Sequence, residues 1–580
     1  MATSLARRAE AGIPSSAFEI LDSVVCSNNS AVSLDTMRRW IQDCEDNHPL
    51  CQQLKPSTRS LPTRLIHLGD TSDTIKPVLH YSASLPAGTK YTTLSHCWRG
   101  LTFLRLLLGN ESAFRDAIPV LELSKTFKEA MEVTRRLGVP YIWIDSLCII
   151  QDSEEDWRQE AARMGEVYQG SYCNIAATAA KDGRDGLFRK RTLLDVEPCR
   201  VQAAWAPPRN GTYFSKATYF CRDLGSWGSE VQDTLLLSRG WVSQEVVLAR
   251  RTLHFGRKQV SWECVDKRAC ETYPDRVPTT NKPALHPASL DLESIFRYYD
   301  GKFIEHELWK MVVQAYSRCD LTFKTKDKLV AISGLAQNLG LPPDTYLAGL
   351  WRRGLEEQIL WRVPKGERPC VPTGTAEYRA PTWSWASVDG PVFLKVPTLK
   401  ALAHVNIDIL NAGTELVDAS QPFGQVRGGY IRMRCMLAHA YLTERIVVLA
   451  THSIMRNGQW VDVPYDSSDP ERFQAQHFFE GWPVMLEWDR GKPIFSKRYY
   501  CLFVNQHDGR RGLIVQPTGR SKGEYERVGY FSFSIATVRK MTADAQFTNP
   551  ILKPIDDSEL YELMEIEPDS GMPIYMITLV

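Results

Sequence analysis

Between Tyr91 and Cys264 short apolar runs alternate with stretches of helical period, and this alternation constrains the fold more than any other feature. Tyr91-Thr-Thr-Leu-Ser-His96 is short and β-prone. Ser124 can cap a helix in which Phe127, Ala130, Met131 and Leu137 share a face, with Gly138 as a stop and Pro140 unable to continue it. Tyr141-Ile-Trp-Ile-Asp145 is nearly all apolar, as a strand buried on both faces requires. Ser153-x-x-Asp156 opens a second helix with Trp157, Ala161, Met164 and Tyr168 on one stripe. Asn174–Thr178 reads as a third strand, Leu235–Leu237 as a fourth and Trp241–Arg250 as a helix. Thr252–Cys264 alternates apolar with polar residues around Gly256 and reads as a β-hairpin with one buried face. Strands alternating with helices imply a parallel sheet with helices on its faces.

The flanks differ. The first 90 residues look irregular apart from a helix at Ser33–Cys44, with Met37, Trp40 and Ile41 on one face, and a Pro- and Ser-bearing surface stretch from Pro56 to Pro62. Phe296–Gly334 and Tyr346–Trp361 read as helical, and from Pro381 onward short β-like runs dominate. The expected class is α/β, with a mixed helical and β-rich C-terminal region. The expected segments are 1–90 as an extension packed on the core, 91–270 as the α/β domain, 271–370 as mainly helical and 371–580 as β-rich.

Composition excludes several function classes. With 69 basic and 68 acidic residues the chain lacks the basic excess of a nucleic-acid binder. The clusters Arg189-Lys190-Arg191 and Arg250-Arg251 read as solvated. Fourteen cysteines in 580 residues are too few for a disulfide scaffold. No apolar run approaches the roughly 18 residues of a membrane span, and the first residues do not form a secretory leader, so a cytoplasmic location is expected. Neither GxGxxG, GxxxxGK[ST] nor GxSxG appears. Cys44, His48 and Cys51 offer three soft ligands, but a structural zinc needs four. Cys26 or His67 could join only by chance, so a packed loop and no metal are expected.

Ligands of open α/β sheets bind beyond the carboxyl ends of the strands. Ser95, His96 and Cys97 fall at the first such end, Asp145 and Ser146 at the second, and Ser238 and Arg239 precede the last helix. His96, Asp145 and Glu245 are therefore expected to share one crevice as the reactive groups, with Ser95, Trp98, Ser146, Arg239, Trp241 and Gln244 lining it. Adjacent residues on a strand point to opposite faces, so His96 and Cys97 are a poor dyad, and Cys97 reads as a small core filler.

The residues at these strand ends carry a resemblance. Tyr91-Thr-Thr-Leu-Ser-His-Cys-Trp98 with Gly100, then Tyr141-Ile-Trp-Ile-Asp-Ser-Leu-Cys-Ile-Ile-Gln-Asp152 with Asp156-Trp157 and Glu160-Ala-Ala-Arg-Met164, then Arg239-Gly-Trp-Val-Ser-Gln-Glu245 resemble the three motifs of the fungal heterokaryon-incompatibility (HET) domain, in order. Pro62–Ile66, Asp327–Gly334 and Pro381–Ala386 resemble flanking pieces of longer members. The resemblance implies a filamentous-fungal protein of nonself recognition, with growth arrest or cell death as the output and self-association or a protein partner as the means. HET domains are in turn remotely similar to Toll/interleukin-1 receptor (TIR) domains, which implies a flavodoxin-like parallel sheet. Some TIR domains cleave NAD with a glutamate four residues after a Trp, the spacing of Trp241 and Glu245. Here Ser238-Arg-Gly-Trp241-Val242 is one residue longer than the TIR Ser-x-Trp-Cys and lacks the Cys. Three activities follow as alternatives: a signalling effector, an NAD-cleaving hydrolase using Glu245, and an enzyme of fungal secondary metabolism on a reused scaffold. The last would require a closed, apolar, Trp-lined pocket.

Overall fold

A computed structural model describes residues 5–7, 25–53, 61–69, 76–98, 103–192, 195–197, 199–203, 217–221, 227–277, 304–364, 378–396, 399–442, 447–449, 453–456, 459–462, 484–489, 499–505, 511–533, 555–568 and 572–580. Gly100 and Pro56 lie outside the described residues, as do residues 296–303 of the stretch read as helical. The chain divides into two compact units, Met1–Leu290 and Asp291–Val580. No helix among the described residues is long and apolar enough to cross a membrane.

The first unit is built on an eight-stranded mixed sheet. Its strands are β1 (Arg64–His67), β2 (Val78–Tyr81), β3 (Tyr91–Ser95), β4 (Tyr141–Trp143), β5 (Cys173–Ala176), β6 (Arg251–Phe255), β7 (Val260–Cys264) and β8 (Arg268–Cys270). They lie in the order β8-β7-β6-β5-β3-β4-β1-β2. The central four, β6-β5-β3-β4, are parallel, and an antiparallel hairpin extends the sheet on each side. Counted along the chain, the parallel strands run second, first, third, fourth. That is the doubly wound order, with its switch point between β3 and β5. The α/β class is as expected, and the sheet is mixed because hairpins cap both flanks.

The helices begin where their capping residues stand. The Ser124 hydroxyl accepts from the Phe127 amide at 3.2 Å to start α2 (Lys125–Arg136), and Gly138, at φ +75°, turns the chain away after it. The Ser153 hydroxyl does the same for Asp156 at the start of α3 (Glu154–Gly170), which carries three acidic residues in its first turn. A further helix, α4 (Gly240–Leu248), packs on α3. The N-terminal helix α1 (Ala31–Asn47) buries Met37, Trp40, Ile41 and Cys44 against the sheet, and Trp40 stacks near Trp262 of β7.

Two sequence expectations need correction here. Leu235–Leu237 is a turn, not the fourth strand; Leu236 and Leu237 fill a small core with Val231, Val242, Val246, Ala176 and Cys97. The fourth parallel strand is β6, the first arm of the expected hairpin. Every residue of β6 is buried, including its polar ones, because β5 and β7 flank it and layers cover it. The basic clusters are not all solvated either. Arg191 pairs with Glu271 at 2.6 Å, and Arg250 and Arg251 are buried.

The second unit is β-rich, as expected. Its nine-stranded sheet contains β9 (Asp408–Leu416), β10 (Val426–Leu442), β11 (Tyr499–Asn505), β12 (Arg511–Pro517), β13 (Glu524–Phe533), β14 (Leu563–Ile566) and β15 (Pro573–Leu579). Strands β10, β11, β12, β13 and β15 pair in a ring, because β15 returns to pair with β10. Beside it lies a tryptophan core in which Trp309, Trp351, Trp361, Trp383 and Trp385 are fully buried. Tyr346–Trp361 is not a helix. Tyr346–Leu347 and Leu350–Trp351 form a tight hairpin whose turn uses Ala348 at φ +45° and Gly349 at φ +95°, and a short helix follows only after Gly354 at φ +68°. A side chain at Gly349 would meet the Trp385 ring at 2.7 Å.

Candidate functional site

Strand β3 has helices on both sides, and its alternation sorts its residues between them. Thr92 and His96 face α2: Thr92 Oγ1 lies 2.7 Å from Thr134 Oγ1, and the His96 ring meets Phe127 edge-on with centroids 4.9 Å apart. Thr93 and Ser95 face the other way, toward Asn174 of β5, whose amide donates to Ser95 Oγ at 3.1 Å. On that side Glu245 of α4 and Tyr168 of α3 meet Ser95. At the carboxyl end of β4 the chain turns into a single helical turn at Asp145–Cys148, which sets Asp145 at the rim.

Asp145 is the hub of this rim. One of its oxygens accepts the Ser146 amide at 2.7 Å and lies 3.8 Å from His96 Nδ1; the other accepts the Trp98 indole N–H at 3.1 Å. The Arg239 guanidinium donates to the His96 carbonyl and tethers the start of α4 to the end of β3. His96 and Glu245 are 4% and 3% exposed, whereas Asp145, Trp98 and Arg239 are half-buried.

Burial fixes the protonation states. Desolvation pulls the His96 imidazole down to about 4 despite the adjacent Asp145, so the ring is neutral at pH 7. Desolvation pushes the Glu245 carboxyl up to about 7; the Asp145 charge adds to the rise, and bonding to Ser95 opposes it. Burial raises the Tyr168 phenol well above its usual range. Glu245 is therefore balanced between its two states near neutrality, the condition a proton-transfer group needs.

Several buried polar atoms here have no protein partner among the described residues: His96 Nε2, Ser146 Oγ, Glu245 Oε2 and both polar atoms of the Gln244 amide. Buried polar atoms left unpaired are costly, so these are atoms at which a ligand or water would be stabilised.

The structure thus gathers His96, Asp145, Trp98, Ser146 and Arg239 at the rim, with Ser95 and Glu245 on the other face of β3 and Glu245 within the electrostatic reach of Asp145. Gln244 is fully buried on the same helix as Glu245. Trp241 turns instead to Trp157 of α3, ring centroids 6.4 Å apart. Cys97 is buried in the small apolar core, and Ser238 caps back onto the Leu235 carbonyl at 2.8 Å. Sequence reasoning missed Tyr168 and Asn174 as members. Tyr168 sat on a recognised apolar stripe, and Asn174 was the one polar group opening an otherwise apolar strand.

Residues 91–245 match the family model described as Heterokaryon incompatibility protein (HET). The chain carries a HET domain. No curated protein and no solved structure matches the chain. The match ends at Glu245, so the first and last residues of the HET segment, Tyr91 and Glu245, lie on elements that meet at the rim. The sheet that carries the HET motifs is wider than the matched segment, since β1, β2, β6, β7 and β8 fall outside it.

One further cluster lies away from this rim. Cys44, His48 and Cys51 are joined by Cys264, the last residue of β7, and the four donor atoms all lie within 4.8 Å of one another. The sequence expectation of an incomplete ligand set missed Cys264, because the fourth group comes from a strand 216 positions beyond His48.

Proposed function

We propose that this protein is a cytoplasmic HET-domain effector of a heterokaryon-incompatibility response, acting through association with itself or a protein partner, and that the His96–Asp145–Glu245 cluster is its functional site. The observation that carries this reading is the coupling of Asp145 to both other groups. Asp145 lies 3.8 Å from His96 Nδ1, its charge helps to raise the Glu245 carboxyl, and Arg239 at the start of the third motif donates to the His96 carbonyl. A ligand or partner that reaches the rim at Asp145, Trp98 and Arg239 would change the charge on buried Glu245, and so report binding to α4. The test is inducible expression of the full chain in a filamentous fungus. Wild type is expected to arrest growth, with Glu245→Gln and Asp145→Asn silent at equal protein level. Arrest that survives both substitutions would remove the cluster from the function.

A second reading, cleavage of NAD, is favoured by the unpartnered Glu245 Oε2 at the switch point of the parallel strands. The bond between ribose C1′ and the nicotinamide nitrogen would break, with the electron pair leaving on nicotinamide. A carboxylate would stabilise the oxocarbenium-like centre, and water would add at C1′ with its proton passing to Glu245. Purified full-length chain would then release nicotinamide from NAD, and Glu245→Gln would abolish release. Arrest in the fungus with no nicotinamide release would leave the effector reading alone.

A further inference from the structure

We propose that Cys44, His48, Cys51 and Cys264 form a structural zinc site. Cys44 stands on the last turn of α1, His48 caps that helix, Cys51 lies on the short helix Pro49–Gln53, and Cys264 ends β7. All four are buried, and Cys264 Sγ is 3.3 Å from His48 Nδ1. A tetrahedral zinc with thiolate bonds of about 2.3 Å and an imidazole bond of about 2.0–2.1 Å has ligand-to-ligand edges of roughly 3.5–3.8 Å. The four atoms, within 4.8 Å of one another, are close to that size already. Among the described residues no other group of three or more His, Cys, Asp or Glu side chains is gathered in this way.

The surroundings argue for metal over an apolar filler or a chance meeting of thiols. The Arg251 guanidinium donates to Cys44 Sγ at 3.2 Å, and the Lys267 amide donates to Cys264 Sγ at 3.4 Å. Both donors stabilise thiolate sulfur, the form that binds zinc. His48 offers Nδ1 to the sulfur cluster while its Nε2 lies 3.3 Å from Asp43, which is itself paired with Lys267. A carboxylate behind the second ring nitrogen fixes the tautomer and orients the ring, as in zinc centres generally. Three thiolates and one zinc carry a net charge of −1, and Arg251 stands beside them to balance it. Binding would form three Zn–S bonds and one Zn–N bond, with the three thiol protons released to solvent.

All four ligands fall outside residues 91–245, three before and one after. The metal would therefore staple α1 to β7 and close the chain into a ring around the whole HET segment, a constraint of high sequence separation. This inference stands apart from the proposed function, since its readout is metal content.

The test uses full-length protein purified under reducing conditions. Elemental analysis is expected to find one zinc per chain, and a mercurial titration of the wild type to release it in step with modification of three thiols. Cobalt substitution should give the visible bands of a tetrahedral thiolate centre. Cys264→Ser and Cys44→Ser should lose the zinc, while Cys26→Ser and Cys319→Ser keep it. Should the ligand variants fail to fold, the mercurial and cobalt measurements on wild type decide alone. Zinc-free protein from zinc-supplemented cells, zinc retained in Cys264→Ser, or a disulfide between any two of the three cysteines in the reduced preparation would overturn the site.

Discussion

Glu245 offers a quantitative check on the rim cluster, because its protonation couples directly to stability. The carboxyl moves from an ordinary 4.5 in the unfolded chain to about 7 when buried beside Asp145. At about 1.4 kcal/mol for each factor of ten in proton affinity, that rise corresponds to about 3 kcal/mol. The sign follows from which state holds the proton. Between pH 4.5 and 7 the folded chain keeps a proton that the unfolded chain has lost, so stability falls as pH rises through this window. Below 4.5 both states are protonated and the contribution is fully present; above 7 it is gone. His96 acts in the opposite direction. Its imidazole drops from 6.5 to about 4 on folding, so stability is lost as pH falls from 6.5 toward 4. In the wild type the two slopes nearly cancel across the shared window. Glu245→Gln removes one of them. Relative to wild type, the variant should therefore gain about 3 kcal/mol of stability between pH 4.5 and pH 7.5, whatever constant offset the amide introduces. The assay is urea denaturation of both full-length proteins across that range, followed by far-ultraviolet circular dichroism. A difference between the two that stays flat with pH would refute the desolvation of Glu245, and with it the buried rim.

Three other perturbations test the frame around the site. Arg64, 3% exposed, is held by Asp156 at 2.6 Å and by the Cys148 carbonyl at 2.8 Å; Asp156→Ala strands that cation and should cost about 3 kcal/mol in the same denaturation assay. In the second unit, Arg527 is fully buried, paired with Asp489 at 2.6 Å and seated over the Trp361 ring at 3.4 Å. Asp489→Ala should cost about 4 kcal/mol, against much less for the double change Asp489→Leu with Arg527→Met, and equal costs would refute the pairing argument. A fragment of residues 91–245 alone would expose the edges of β5 and β4 that β6 and β1 normally cover, so it should aggregate, whereas residues 25–277 should remain soluble by light scattering.

Local chemistry made much of the first unit legible. The caps Ser124 and Ser153, the stop at Gly138 and the doubly buried run Tyr141–Trp143 act within a few residues of themselves, and each helix or strand stands where they put it. What failed was anything decided by distant neighbours. Leu235–Leu237 and Leu253–Phe255 both read as strands, but only the second pairs with β5, while the first is a turn that fills a small core. His254 alternates as if solvent-facing, yet it is fully buried, because Thr178 Oγ1 lies 3.3 Å from one ring nitrogen and Glu263 lies 3.4 Å from the other. Tyr346–Trp361 shows helical spacing, but Gly349 and Gly354 sit at positive φ and break it.

The candidate site divides along the same line. That Ser95, His96 and Asp145 end up together follows from one rule, that parallel strands deliver their carboxyl ends to one rim, whereas Glu245 comes from within α4 and joins them through Ser95. Their protonation states could not be read from sequence, because desolvation, the dominant cause for both His96 and Glu245, depends on what covers them. The cover comes from Phe127 on one face and from Tyr168 and α4 on the other, elements the sequence places tens of residues away. The same burial that leaves Glu245 half-protonated at neutral pH restricts access to it. In the proposed effector role, substitutions at the half-buried Asp145, Trp98 and Arg239 should therefore alter response to a ligand before they alter the fold.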